Sequence, residues 1–228
     1  MNKWLSYLQS SIGKKQIVAT TGLFLIVFVI AHLAGNLLIY AGPQAFNDYS
    51  KKMVGLWPAL YFVEFGLFLV FVIHLYVTAL LVLQNLQARD QRYGVYNPSE
   101  ERSWATRLMP YTGTLILAFV IWHLLDFTFV DKAGPRSLMP DGRSLGLYAI
   151  VYNSFSNPWH SLGYIVAMMA LGFHLTHGIQ SFFQTFGFDR FLQASFIDKL
   201  SGVLGVLIAV GYSTIPVYVF LDSLKYKV

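Results

Sequence analysis

Five long apolar segments are the feature that most constrains how this chain can fold. A transmembrane helix needs about 20 consecutive apolar residues, and the segments cover 17–40, 58–84, 108–130, 159–183 and 196–221. Only 12% of the residues are charged, about half the share in a soluble domain, so lipid must cover much of the surface. The sequence therefore predicts an all-α membrane protein, a single transmembrane domain over 1–228 with five transmembrane helices.

The short segments between the spans indicate an orientation. In this topology the N-terminal side of the membrane holds nine Lys and Arg residues and the opposite side seven. The positive-inside rule therefore predicts a multi-pass protein of the cell membrane with a cytoplasmic N-terminus. We assign the basic residues to lipid headgroups and expect no nucleic-acid partner. In the longest connector, Leu145–Tyr152 is predicted to form a short amphipathic piece.

The absence of cysteine limits the redox chemistry that the chain itself can support. With no Cys, disulfides, a protein-ligated iron–sulfur cluster and covalent haem attachment are excluded. The histidines remain, and the first four spans contain His32, His74, His123 and His174. Ionisable groups at that depth are costly and usually functional. Four imidazoles facing one bundle make two pairs, as two six-coordinate b-type haems require.

An internal repeat predicts how the four histidines pair. The run from Thr21-Gly22 to His32-Leu33 parallels the run from Thr112-Gly113 to His123-Leu124 at an offset of 91. We therefore pair His32 with His123 nearer the outer face, and His74 with His174 nearer the inner face. Measured from the ends of the apolar segments, the two levels differ by roughly 8–13 Å. Measured from the nearest charged residues, the difference vanishes.

Several other polar groups have two or more interpretations. His177 is an alternative ligand, a propionate partner or a hydrogen-bond donor to a quinone. Lys14, Lys15, Arg89 and Arg107 are propionate partners or ordinary positive-inside charge. Glu64 handles protons or stands in water at a helix end. Asp126 has these two interpretations and a third, as an outer partner of His123. Gly22 and Gly113 make room for the inner haem or serve close helix packing. His160 is predicted to be interfacial.

At these residues the chain resembles the di-haem cytochrome b subunit of succinate:quinone oxidoreductases and fumarate reductases, in the single-anchor form with five helices. The motifs that carry the resemblance are Gly13-Lys14-Lys15 leading to Thr21-Gly22, His32-Leu-x-Gly-Asn36, Phe46-Asn47-x-Tyr49, Glu64-x9-His74, Asn85-x-x-Ala88-Arg89, Met109-x3-Gly113-x8-Trp122-His123 and Phe173-His174-Leu-x-His177-Gly178. Together they extend over nearly the whole chain.

The resemblance implies a function in the respiratory chain and the tricarboxylic acid cycle. By it, His32, His74, His123 and His174 are the axial ligands of two protohaems. Electrons come from an iron–sulfur subunit on the cytoplasmic side, which a flavoprotein with FAD reduces as it oxidises succinate. They then reduce a quinone, typically menaquinone, for which Asn36, Tyr40 and Glu64 are candidate contacts. Some members carry a Glu proposed as a proton route where this chain has Gly172.

Two other classes fit part of the pattern. A self-contained transmembrane reductase, resembling cytochrome b561 or a hydrogenase-type b subunit, shares the paired histidines but lacks the Asn-x-x-Ala-Arg motif and the Lys-Lys stretch before Thr-Gly. A transporter with hydrogen-bonding histidines would bind no haem. Copurification of a flavoprotein and a cysteine-rich iron–sulfur protein separates the first class from the respiratory anchor, and a redox spectrum excludes the second.

Overall fold

The computed structural model describes residues 3–87, 104–139 and 141–225, with only the backbone given at 104–107. Within these ranges the chain is helical, and its β-type pairing is an isolated bridge between Leu138 and Ser144. The predicted all-α class is confirmed. Arg89 and the side chain of Arg107 lie outside the described residues.

Eight α-helices follow one another along the described chain. They are α1 (Lys3–Gln9), α2 (Ser11–Asn36), α3 (Pro43–Gly55), α4 (Ala59–Gln87), α5 (Trp104–His123), α6 (Gly146–Phe155), α7 (Pro158–Thr185) and α8 (Ala194–Leu224). A 3-10 turn, Leu37–Ala41, extends α2, and a π-helical turn, Leu124–Thr128, extends α5. We call the end of the molecule where α2 begins the inner end, and the opposite end the outer end.

Five helices are long and apolar enough to cross a membrane, as predicted: α2 with its 3-10 turn, α4, α5 from Leu108 with its π turn, α7 and α8. Their bounds agree closely with the five apolar segments, except that α2 begins earlier, at Ser11. The reason is local, because the Ser10 hydroxyl caps this helix by accepting the Gly13 N–H at 3.1 Å. Asn157 caps α7 in the same way and accepts the Trp159 N–H at 2.9 Å.

Helix α7 is the most deeply packed of the five spans. It contacts α2, α5 and α8, while α4 packs against α2. Along α8 the two backbones approach closely: a β-carbon on Gly172 would lie 2.9 Å from the Gly205 carbonyl oxygen and 2.8 Å from the Ala209 β-carbon. Small residues allow such contacts between membrane helices. Helix α8 therefore supports the histidine-bearing α7 although it carries no histidine itself.

The outer end is covered by α6, which packs on the ends of α7 and α8, and by α3, which packs on α6 and on the Leu37–Ala41 turn. Their buried cluster consists of Ile39, Phe46, Tyr148, Val151, Tyr152, Phe155, Tyr164, Ile215 and Val219. The Asn47 amide ties α3 to α6 by donating to the Leu145 carbonyl at 2.8 Å and accepting the Tyr148 N–H at 3.1 Å. The prediction of an amphipathic piece at Leu145–Tyr152 was wrong. Seven of the ten residues of α6 are buried, as expected of a helix that is apolar on nearly every side.

Candidate functional site

The inner histidines are His74 on α4 and His174 on α7, and each has a threonine of the repeat beside it. Thr21 Oγ1 lies 3.0 Å from His74 Nδ1, and Thr112 Oγ1 lies 3.2 Å from His174 Nδ1. The threonines of the repeat therefore contact the two histidines that the repeat does not contain.

The glycines of the repeat lie against the same imidazole rings. A β-carbon on Gly22 would be 3.4 Å from His74 Cε1, and one on Gly113 would be 3.5 Å from His174 Cε1. These are contact distances, so a methyl group fits but a longer side chain would displace the ring. The structure thus gives both glycines a more direct role than either sequence interpretation, because they make room for the histidines themselves.

The outer histidine pair joins α2 to α5. The ring centroids of His32 and His123 are 5.9 Å apart, and the two planes are nearly perpendicular. Two imidazoles that bind one metal ion from opposite sides, with metal–nitrogen bonds of about 2 Å, would hold their centroids about 6 Å apart. The separation of these rings therefore suits a shared iron.

Aromatic rings surround the outer pair. The nearest are Phe28 and Tyr212 beside His32, and Phe119, Phe127 and Tyr164 beside His123. His123 Nδ1 is buried and has no hydrogen-bond partner in the described part of the chain. The Tyr212 hydroxyl donates to the Val29 carbonyl of α2 at 2.8 Å and so fixes α8 beside His32. This pair is therefore held by the packing of aromatic rings and not by hydrogen bonds between hydroxyl groups and the imidazole nitrogens.

A buried carboxylate lies next to the outer pair, on the π turn that follows His123. Asp126 Oδ2 accepts the Tyr164 hydroxyl at 2.9 Å and lies 3.0 Å from His160 Nε2. Arg136 Nη2 is 3.6 Å from Oδ1. A buried charge requires such partners. His123 Nδ1 has no hydrogen-bond partner among the described residues, so the interpretation of Asp126 as a partner of His123 is not supported. The burial of Asp126 also contradicts the interpretation that it stands in water. Its partners are Tyr164 and His160, which was predicted to be interfacial.

The two pairs occupy different levels of the helix bundle. Thr21, which contacts His74, precedes His32 by eleven residues of α2, and Thr112 precedes His123 by the same number on α5. At 1.5 Å per residue the levels are about 16 Å apart. The structure therefore brings His32 and His123 together and places His74 and His174 at another level, beside Thr21 and Thr112. That these four side chains bind haem stays a prediction.

Other candidate residues at the inner end are only partly connected to the pairs. His177, one turn beyond His174, has Nε2 3.1 Å from Ser181 Oγ, while its buried Nδ1 has no partner among the described residues. Lys14 Nζ donates to Gln84 Oε1 at 2.9 Å, which links α2 to α4, and Lys15 is exposed.

The three quinone candidates do not form one cluster of contacts. The Asn36 amide donates to the His32 carbonyl of its own helix at 2.8 Å. The Tyr40 hydroxyl donates to Thr214 Oγ1 of α8 at 2.7 Å. Glu64 is exposed on α4. Tyr40 alone of the three lines a groove of about 430 Å³ between the outer ends of α2, α7 and α8.

Comparison with known proteins gives this arrangement a family. The family model described as succinate dehydrogenase/fumarate reductase transmembrane subunit matches residues 84–215. The chain is also similar to the succinate dehydrogenase cytochrome b558 subunit of Bacillus subtilis (strain 168), with 29% identity over 161 residues, which make up 71% of this chain and 72% of the relative. No solved structure matches the chain. The match over more than half of its length shows that this chain belongs to the family of succinate dehydrogenase/fumarate reductase transmembrane subunits.

Proposed function

We propose that this membrane-anchor subunit carries two b-type haems and passes electrons between an iron–sulfur subunit and a membrane quinone. The observation that carries the proposal is that four histidines from four spans lie at two levels about 16 Å apart, with the rings of His32 and His123 5.9 Å from each other. His32 and His123 would hold the outer haem, and His74 and His174 the inner one.

The residues present fit such a cofactor. Bound haem supplies a one-electron iron couple, and the protein adjusts it through axial ligands, hydrogen bonds and burial. Each pair offers one imidazole from each of two helices, and the outer ring separation of 5.9 Å matches a shared ion. Nδ1 of His123 is buried and has no partner among the described residues. A buried polar atom without a partner is rare and calls for a functional explanation.

The inner end is the proposed docking side for the partner subunits. We place it in the cytoplasm, with the protein in the cell membrane, in keeping with the charge bias of the sequence. The iron–sulfur subunit would bind there and would receive electrons from the FAD-containing flavoprotein. Lys14 and Lys15, with Arg89 and Arg107, supply the positive charge available near the inner end for haem propionates.

The quinone, which we propose is menaquinone, would bind near the outer pair. The groove beside Tyr40 is almost entirely apolar and is also lined by Ile165, Met169, Val210, Ser213, Thr214, Val217 and Tyr218. Hydroxyl groups lie within it, and Ser213 Oγ is buried without a partner among the described residues. A quinone needs such a pocket, with an apolar wall for its ring and tail and donors for its carbonyl oxygens. Among the predicted contacts the groove therefore favours Tyr40 over Asn36 and Glu64.

A haem count with two neighbouring histidine variants tests the proposal. The chain is expressed with its partner subunits, and haem is measured per purified complex in the wild type, His174→Ala and His177→Ala. We expect two, one and two haems, and we expect both succinate and menaquinol to reduce the wild type.

A wild-type complex without a haem spectrum, or without copurified flavoprotein and iron–sulfur protein, would overturn the proposed function. Loss of a haem from His177→Ala and not from His174→Ala would transfer the ligand role to His177 and contradict the assignment.

A further inference from the structure

The direction of the threonine hydrogen bonds at the inner pair can be worked out from the structure. Thr21 Oγ1 lies 2.7 Å from the Ile17 carbonyl oxygen, and Thr112 Oγ1 lies 3.1 Å from that of Leu108. A hydroxyl has a single proton to donate, and these carbonyl oxygens can only accept it. The lone pairs of each hydroxyl are thereby left to accept the N–H of the imidazole.

This direction fixes the tautomer of both histidines. A neutral imidazole that carries its proton on Nδ1 has its free lone pair on Nε2. His74 and His174 would therefore present Nε2 to a metal. The same contact occurs twice, from the two copies of the repeat and onto two different helices, so it is a repeated feature of the fold.

We propose that Thr21 and Thr112 are positioning residues that hold His74 and His174 in the metal-binding tautomer and shift the inner haem toward its oxidised state. The inference rests on the proposed function. A histidine ligand that donates its second N–H to an acceptor is a more basic ligand, and a more basic ligand stabilises ferric over ferrous iron. In contrast, His123 Nδ1 of the outer pair has no acceptor among the described residues.

Thr112 is the better site for a test. Its Oγ1 is the hydrogen-bond partner that the structure shows for His174 Nδ1, and the same helix carries a second threonine, Thr114, that can serve as a control.

A redox titration of the complete complex tests this inference through the visible spectra of its two haems. Thr112→Val removes the hydroxyl at nearly constant volume, and Thr112→Ser keeps it. Thr114→Val is the matched control, because the Thr114 hydroxyl donates to the Pro110 carbonyl at 2.9 Å on the same helix and touches no histidine.

We expect Thr112→Val to shift the ferric–ferrous equilibrium of the inner haem about tenfold toward ferrous, which is about 59 mV for one electron. Thr21→Val should give a shift in the same direction, since Thr21 Oγ1 makes the equivalent contact with His74 Nδ1. Thr112→Ser and Thr114→Val should leave the ferric–ferrous equilibrium of the inner haem within about threefold of the wild-type value. The equilibrium of the outer haem should not change in any variant. Weaker retention of the inner haem in Thr112→Val but not in Thr112→Ser would also support the proposal, because an outer-shell partner is worth about 10–100-fold in metal affinity.

Three results would overturn the inference. They are an unchanged inner haem in Thr112→Val, an equal shift in Thr114→Val, and equal loss of haem from Thr112→Val and Thr112→Ser. Failure of the proposed function gives a different result, since the wild type would then lack a second haem.

Discussion

The two histidine pairs are placed by equivalent helices but are held in different ways. At the inner level, small residues of the repeat contact the rings, with hydroxyls on Nδ1 and glycines at the ring edges. At the outer level, aromatic rings pack around the imidazoles, and a buried carboxylate binds the tyrosine beside His123. The inner histidines thus depend on a few small residues of the facing helices α2 and α5, whereas the outer pair depends on aromatic rings and on contacts with α7, α8 and the segments that cover the outer end.

This difference predicts that a substitution at one level will affect only the haem at that level. Substitutions at the Thr-Gly dipeptides of the repeat should affect the inner haem, and substitutions around Asp126 should affect the outer one. The predictions below test that separation in order of decreasing expected effect.

The largest effect is expected from a bulky side chain at the glycines of the inner pair. Gly22→Leu or Gly113→Leu places a branched group where even a β-carbon already touches the imidazole. We expect loss of the inner haem, measured as half the wild-type haem per complex, with the outer haem retained. Gly22→Ala and Gly113→Ala are the controls and should keep both haems. Loss of the outer haem instead would contradict the separation of the two levels.

The next effect is expected at the buried carboxylate. Asp126→Ala leaves Tyr164, His160 and Arg136 without their shared partner, and breaking a buried ion pair costs about 3 kcal/mol or more. Thermal unfolding of the complex should occur at a lower temperature, and the spectrum of the outer haem should change while that of the inner haem does not.

Asp141→Ala is the matched control for this change. The hydrogen bond from the Arg143 side chain holds the pKa of the Asp141 carboxyl below its usual range, but the pair is exposed, and exposed pairs contribute little to stability. A destabilisation equal to that of Asp126→Ala would show that the burial of Asp126 is not the cause.

A moderate effect is expected from Tyr164→Phe. The ring and its contact with His123 remain, and only the hydrogen bond to Asp126 is lost. A hydrogen bond to a charged group contributes about 1.5–3 kcal/mol, so the complex should be less destabilised than in Asp126→Ala. The potential of the outer haem, followed by redox titration, should shift while the inner haem stays constant. An identical shift of both haems would argue against the two-level scheme.

The smallest effect is expected from Tyr212→Phe. The hydroxyl donates to the Val29 carbonyl, an oxygen within α2, and a neutral hydrogen bond contributes about 1 kcal/mol. We expect a slightly lower unfolding temperature and two intact haem spectra. Loss of the outer haem would show that this contact, and not the aromatic packing, determines the position of His32.

The spans could be predicted because they depend on local patterns, whereas the assignment of the four histidines to two haems stays a prediction. The lengths of the apolar segments predicted the five helices. The repeated Thr-Gly and His-Leu motifs predicted which histidines share a level. The contacts of Thr21 and Thr112 could not be predicted, since they depend on the register between helices that are distant in the sequence. The Thr-Gly dipeptides were the available signal, but they pointed to space for a cofactor and not to the histidines of the facing helices.

The burial of residues at the outer end also could not be predicted from the sequence. Asp126 and Tyr164 are 38 positions apart, and only the folded arrangement of the π turn against α7 brings them together. The composition of α6 alone does not distinguish a helix at the membrane interface from a buried one. Its burial follows from α3 and the ends of α7 and α8, which cover it from several sides.

The close contact of α7 with α8 also restricts which residue can occupy position 172. Gly172 lies against the Gly205 carbonyl, so the space beside its α-carbon is filled by the backbone of α8. Any side chain there would push the two helices apart, and α7 would lose part of its support from α8.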